Sequence, residues 1–197
     1  MATDSTGMTH VHHEKLIRFV SRSFEKLGVP PIDAEIAANV LVASDLRGVD
    51  THGVIRFNPH AWYVKWLKEG SMTAQPNIRI VTENASTALL DADNGMGMVA
   101  GHRAMEIAIQ KAKEAGVGIV TVRNSRHYGM SAYYAMLALP HDMIGIAMTN
   151  GAGRWCRHSA AMRALAPIRC ASRCRQRMNG PSCSTWRRTP PPLANWK

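Results

Sequence analysis

Residues 93–129 read DNGMGMVAGHRAMEIAIQKAKEAGVGIVTVRNSRHYG, and this stretch decides the fold class. From residue 101 to 115 apolar side chains recur at helical spacing, and Gly116 stands where a helix stops. Val117–Val122 is then a short apolar run with the length and β-branching of a strand. Working outward, Ile78–Val81 and Ala88–Asp91 read as strands on one side. On the other, Ser131–Leu139 reads as a short helix and Met143–Met148 as another strand. Strands alternating with helices predict right-handed crossovers and a largely parallel or mixed sheet.

The chain before this region reads differently. Val11, Leu16, Ile17, Val20, Phe24 and Leu27 recur at helical spacing, with Gly28 as the stop. Pro30 and Pro31 interrupt the chain, and Asp33 is the expected N-cap of a second helix ending near Leu46. Asn58-Pro59 opens a third helix that ends near Gly70. The expected organisation is a helical region over 8–75, an α/β region over 76–153, and a tail over 154–197 that does not resemble either. No internal repeat is present.

Composition separates the tail. The whole chain has 197 residues, 24 basic and 14 acidic side chains and a net charge of +10. Residues 1–153 hold 14 basic and 14 acidic groups, whereas residues 154–197 hold 10 basic groups and no acidic one. All 4 cysteines fall in the tail as well. A basic surface for polyanions is therefore a property of the tail alone. The hydrophobic fraction of 46% reads as globular. No apolar run approaches the roughly 20 residues of a membrane span, and the N-terminus lacks the basic and apolar segments of a secretory signal. The expectation is a soluble, cytoplasmic chain with no membrane partner.

Two segments carry chemistry. DLRGVDTHGVIRF, residues 45–57, packs Asp45, Arg47, Asp50, Thr51, His52 and Arg56 between two helices. Histidine moves protons near neutral pH, and arginine grips carboxylates. A polar helix C-cap and turn is the other reading of the same spacing. VRNSRHYGMS, residues 122–131, follows a strand and precedes a helix, where α/β sheets place ligands. Asn124, Ser125 and the backbone N–H groups after Gly129 can hold a phosphate, and Tyr128 can stack on a flat ring. A capped strand-to-helix turn is the alternative. The glycines of residues 93–104 lack the G-x-G-x-x-G spacing of a dinucleotide loop. His12, His13 and His60 read as surface or capping residues, and no metal site is expected.

THVHHEKLIRFV, DLRGVDTHGVIRF, the 93–129 stretch and IGIAMTN together resemble the malate/L-lactate dehydrogenase family of the second type. Its relatives include ureidoglycolate and sulfolactate dehydrogenases, diketogulonate reductase and piperideine-carboxylate reductase. The resemblance runs from about Thr9 to Asn150. It implies a non-Rossmann α/β NAD(P)-binding fold, here truncated, and hydride transfer between NAD or NADP and a 2-hydroxy or 2-keto acid. It implies His52 as the acid/base with Thr51 beside it, and Arg56 and Arg47 on the substrate carboxylate. His127, Tyr128, Gly129, Met130 and Ser131 would line the cofactor or reaction pocket, with Met148 close by. Some relatives stress the histidine at the position of His127 as the base. A homodimer is implied for a full-length chain.

The resemblance stops at the tail, where the family continues with P-P-F-G-G, G-T-N-P and L-D-M-A-T. Reading each hidden codon from the third base of a written one restores these in order. Cys156–Ala161 then permits Pro-Pro-Phe-Gly-Gly, Leu165–Arg169 permits Gly-Thr-Asn-Pro, and Cys183–Arg188 permits Leu-Asp-Met-Ala-Thr. The expected cause is a one-base shift near Gly153 or Arg154, leaving a disordered tail and an impaired enzyme. A catalytically dead fragment, or a polyanion-binding protein acting through the tail, is the alternative. The irregular Cys156, His158, Cys170, Cys174 and Cys183 spacing does not favour zinc, and disulfides are not expected in a cytoplasmic chain. No specific nucleic-acid partner is expected.

Overall fold

The fold is seen in a computed structural model, which describes residues 2–3, 9–58, 62–150, 169–173 and 184–186. Two residue pairs, β1 (Ala2–Thr3) and β2 (Thr9–His10), form a minimal antiparallel ladder. Helix α1 (His13–Glu25) follows, with Val20, Ser21 and Phe24 buried. Helix α2 (Pro31–Asp45) is alanine-rich, and Ala34, Ala37, Ala38, Val40, Leu41 and Val42 are all buried. A helix buried over most of its circumference occupies the centre of a fold.

The start of α2 corrects one expectation. Pro30 is the N-cap and Pro31 the first helical residue, a position where a missing N–H costs nothing. Asp33 is instead buried and pairs with Arg103 at 2.6 Å, because its carboxylate faces helix α4 (Gly97–Ala115). Two 3₁₀ turns, Asp50–His52 and Val54–Phe57, lead towards α3 (Trp62–Lys68). The chain reverses at Gly70, which has φ +67°.

Strands β3 (Arg79–Glu83), β4 (Thr87–Asp91) and β5 (Ile119–Arg123) form one sheet in that order. β3 pairs antiparallel with β4, and β4 parallel with β5 in the register Thr87↔Ile119 to Asp91↔Arg123. The sheet is therefore mixed, as the alternation of elements requires. Helix α4 makes the crossover from β4 to β5 and ends at Gly116, φ +77°, the left-handed conformation glycine adopts without penalty.

Helix α5 (Ser131–Leu137), a 3₁₀ turn at Leu139–His141 and strand β6 (Gly145–Thr149) complete the region. β6 does not join the first sheet. It pairs antiparallel with β7 (Arg169–Arg173), which pairs with β8 (Ser184–Trp186). The two described segments of the tail are thus strands, where the sequence leads to the expectation of disorder. Their backbone groups supply the ladder that β6 needs. The rest of residues 154–197 lies outside the described residues, as do Met8 and His60.

One buried cluster joins the helical and α/β regions. It contains Val20 and Phe24 of α1, Val40 and Leu41 of α2, Tyr63 of α3, Met96, Met98, Val99, and Tyr134 and Ala135 of α5. The expected boundary near residue 75 therefore falls in a loop, but the core crosses it. This shared core brings two loops distant in sequence to one place.

Candidate active site

The first loop begins where α2 ends. Gly48, φ +65°, turns the chain, and Asp50–His52 coils into the 3₁₀ turn. Asp45 Oδ2 accepts a hydrogen bond from the Val54 N–H at 2.9 Å. Gly53 is buried against the same carboxylate, and any Cβ there would collide with it. Within this turn Thr51 Oγ1 lies 2.9 Å from His52 Nδ1. Arg56 Nε donates to the Thr51 carbonyl at 2.6 Å. The Arg56 guanidinium lies 4.4 Å above the Trp62 ring, at a distance where the ring face attracts a cation.

The second loop connects β5 to α5. Asn124 enters it with φ +52°, and its amide is bonded to both oxygens of Asp91. His127 follows. Gly129, φ +77°, lies so close to Val40 that a Cβ would come within 2.8 Å of its Cγ1. Tyr128 stacks on Tyr134 at 4.8 Å and its hydroxyl is bonded to Ser131. Met130 is buried with Ala132 against Val49, Tyr133 and Met136.

The two loops meet through their histidines. The rings of His52 and His127 stack with centroids 5.6 Å apart and planes inclined by 27°. Trp62 stands edge-on to His127 at 5.2 Å. Behind His127, the buried Tyr63 places its hydroxyl 2.7 Å from Nδ1. The Gly129 N–H donates to the same nitrogen at 3.3 Å. Burial raises the Tyr63 phenol far above its ordinary range, so it remains protonated at any working pH. A backbone N–H can only donate. Nδ1 is therefore an acceptor, and the neutral His127 ring carries its proton on Nε2.

The expected residues fall into groups. Thr51, His52 and Arg56 meet His127 in one cluster, with Tyr128, Gly129, Met130 and Ser131 on the adjoining backbone. Arg47 instead lines an open concavity of about 590 Å³ with Leu46, Tyr133, Met136, Leu137 and His141. Met148 lies on β6 with 59% of its surface exposed. A second concavity of about 440 Å³ is lined by Asp93, Asn94, Asn124, Ser125 and Arg126. Neither of these two concavities is lined by His52 or His127. The Asn124 amide donates to Asp91 and the Gly129 N–H to His127. Among the described residues no cluster of three or more metal-ligating side chains occurs, and no helix is long and apolar enough to cross a membrane.

Tyr63, Trp62 and Asp45 are neighbours of this cluster that sequence reasoning missed or left without a role. The pair Trp62 and Trp66, four residues apart and stacked at 5.5 Å, was a visible helical signal. Nothing local told that Tyr63 faces a histidine 64 residues later.

Two stacked histidines and an adjacent arginine on an α/β scaffold form the candidate site, and comparison with known proteins gives the family. The pattern of the malate/L-lactate dehydrogenase family matches residues 11–167, extending past Asn150. The chain is 49% identical over 140 residues to a malate dehydrogenase of Pyrococcus horikoshii, covering 71% of this chain and 38% of that protein. It is 48% identical over 126 residues to an L-sulfolactate dehydrogenase of Methanocaldococcus jannaschii, covering 64% and 36%. A ureidoglycolate dehydrogenase (NAD(+)) of Escherichia coli is 30% identical over 138 residues, covering 70% and 39%. The solved structure of malate dehydrogenase from Pyrococcus horikoshii superimposes with a TM-score of 0.81 at 39% identity, over 93% of this chain and 51% of that one. The chain belongs to the malate/L-lactate dehydrogenase family. It spans less than half the length of these curated relatives.

Proposed function

We propose that this site carries out NAD(P)-linked interconversion of a 2-hydroxy acid and its 2-keto acid. The observation that supports the reading most is the stacked His52–His127 pair with Arg56 anchored beside it. The relatives are named for malate, sulfolactate and ureidoglycolate, all hydroxy acids, and one is named for NAD(+).

The donor set suits a nicotinamide dinucleotide. The half-buried Tyr128 and Ser131 hydroxyls and the Gly129–Met130 backbone stand beside His127, past a strand of the parallel pair, where α/β sheets bind ligands. These residues would hold it, and it would supply hydride chemistry. The protein's own part is charge, orientation and a proton. Arg56 offers a fixed cation for the substrate carboxylate. His127, with its proton on Nε2, donates a hydrogen bond to the reacting oxygen. His52 is the proton acceptor: with Nδ1–H given to Thr51 Oγ1, its Nε2 lone pair takes the hydroxyl proton, and the reverse reaction returns it. Arg47 and Met148, placed by the resemblance near the substrate, act at most from outside this cluster. A homodimer in the cytoplasm belongs to the same reading.

The tail is read in the same light. The three family motifs hidden in one alternative frame support a one-base shift near Gly153, and the shift removes the aspartate of L-D-M-A-T. An impaired enzyme follows. Resequencing codons 150–160 tests this: one additional base restores the motifs and makes the protein a full-length dehydrogenase, whereas the written sequence confirmed means a genuine truncation without activity. The activity is tested by nicotinamide absorbance with malate, lactate and sulfolactate, using NAD and NADP in turn. Turnover of any of these supports the reading. No turnover by the frame-restored protein overturns it. Salt-sensitive nucleic-acid binding that disappears on removal of residues 154–197 favours the polyanion-binding alternative.

A further inference from the structure

We propose that Asp45 is the positioning residue of the His52 turn, holding it in register with His127 through one hydrogen bond and one close backbone approach. The proposal rests on the reading of His52 as the proton acceptor and names what holds that imidazole in place.

Three observations carry it. Asp45 is the last residue of α2, so its carboxylate is delivered by the buried central helix. Its Oδ2 accepts the Val54 N–H at 2.9 Å, nine residues along the chain. Gly53 lies against the same carboxylate so closely that a Cβ would meet Oδ1, Cγ and Oδ2 together. The carboxylate thus touches both sides of the Gly53–Val54 peptide, next to His52. The turn's own backbone bonds, His52 N–H to Val49 and Gly53 N–H to Asp50, are local and do not fix it to α2 beyond its last turn.

The electrostatics separate positioning from plain stabilisation. Burial, with the Asp50 carboxylate adding to it, pushes the Asp45 carboxyl up against the opposing Val54 hydrogen bond. A carboxyl raised in the folded state is ionised at a cost, so its contribution to stability falls as pH rises through that value. Asp45→Asn, which keeps a carbonyl acceptor without the charge, should therefore be at least as stable near neutral pH.

The test uses the whole chain and proton NMR of the histidine rings. A cross-peak between the His52 and His127 ring protons reports their contact. The expected result is a cross-peak in the parent and in Asp45→Asn, and its loss in Asp45→Ala while the methyl shifts of the α/β core stay unchanged. Gly53→Ala should also lose it, but should add nothing in the Asp45→Ala background, since the clashing carboxylate is then gone. If the frame-restored protein turns over substrate, Asp45→Ala should lower kcat about tenfold or more with little change in KM. A parent without the cross-peak, an Asp45→Asn chain that loses it, an Asp45→Ala chain that keeps it, or additive Gly53→Ala damage each overturns the proposal. An Asp45→Ala chain that fails to fold, while Asp45→Asn keeps the contact, overturns it too, since the role is then structural. Absence of turnover in every form counts against the dehydrogenase reading and leaves the ring contact to decide this one.

Discussion

The turn that carries His52 and the loop that carries His127 each hang from an aspartate, and the two aspartates sit in opposite surroundings. Asp45 is desolvated, faces Asp50, and has the Val54 N–H to set against both. Asp91, at the end of β4, receives the Asp93 N–H, the Asn124 amide and two nitrogens of Arg123. These donors hold its carboxyl down at about 2. One anchor is an ion stabilised by its surroundings; the other is an ion held where it does not gain by being charged. The loop on Asp91 is further fixed by Tyr63, Tyr134 and the Gly129–Val40 contact, so it forms the rigid wall. Both histidines are half-buried, with Thr51 exposed on one side and Asn124 and Ser125 exposed on the other.

The largest effect that would sharpen this contrast is on catalysis. On the proposed role of His52 as proton acceptor, His52→Ala in the frame-restored protein should lower kcat in the nicotinamide-linked assay by about 10²–10⁴. His127→Gln keeps an amide donor and should fall less. Equal losses from both substitutions would break the division of roles. Tyr63→Phe removes the strongest donor to His127 Nδ1. It should lower kcat by roughly ten- to a hundredfold, shift its pH profile, and cost about 1 kcal/mol in urea unfolding. An unchanged pH profile would show that Tyr63 only packs.

Smaller effects concern the scaffold. Gly129→Ala forces a side chain into φ +77° against Val40, costing about 1–2 kcal/mol of conformational strain, read as a lower urea midpoint. Gly48→Ala meets open space at φ +65° and should cost no more than that strain. A larger loss at Gly48 would mean that the His52 turn is the tighter of the two. The last prediction concerns pH. Asp91 has a folded value near 2 against an ordinary 3.8. Its contribution to stability is therefore complete above 3.8 and is lost as pH falls towards 2. Asp91→Asn should flatten the acid limb of the unfolding curve in that interval. Asp45→Asn should not, because its carboxyl is shifted the other way.

Much of the architecture was legible locally. Gly116 marked the end of α4, the strands over 78–91 and 117–122 appeared within a residue or two, and the paired histidine segments stood out by composition. Misplacements have physical causes. Asp33 is a good N-cap by type, but Pro31 fits the first helical position and Arg103 claims the carboxylate. β6 reads as the next strand of one sheet, yet hydrogen-bond pairing is a choice among distant partners that its own five residues do not encode.

The sequence by itself determined the periodicities, the glycines that admit turns, the mixed order of strands and helices, and the chemical types gathered at residues 45–57 and 122–131. These depend on neighbours a few residues apart. Tertiary structure alone decided that His52 lies on His127, that the Tyr63 hydroxyl meets His127 Nδ1, and that Arg47 faces another surface. Such contacts arise because α2 buries most of its circumference and draws α3 and α5 onto one core. They depend on three-dimensional packing between segments as far apart in sequence as His52 and His127, for which a linear pattern holds no local signal.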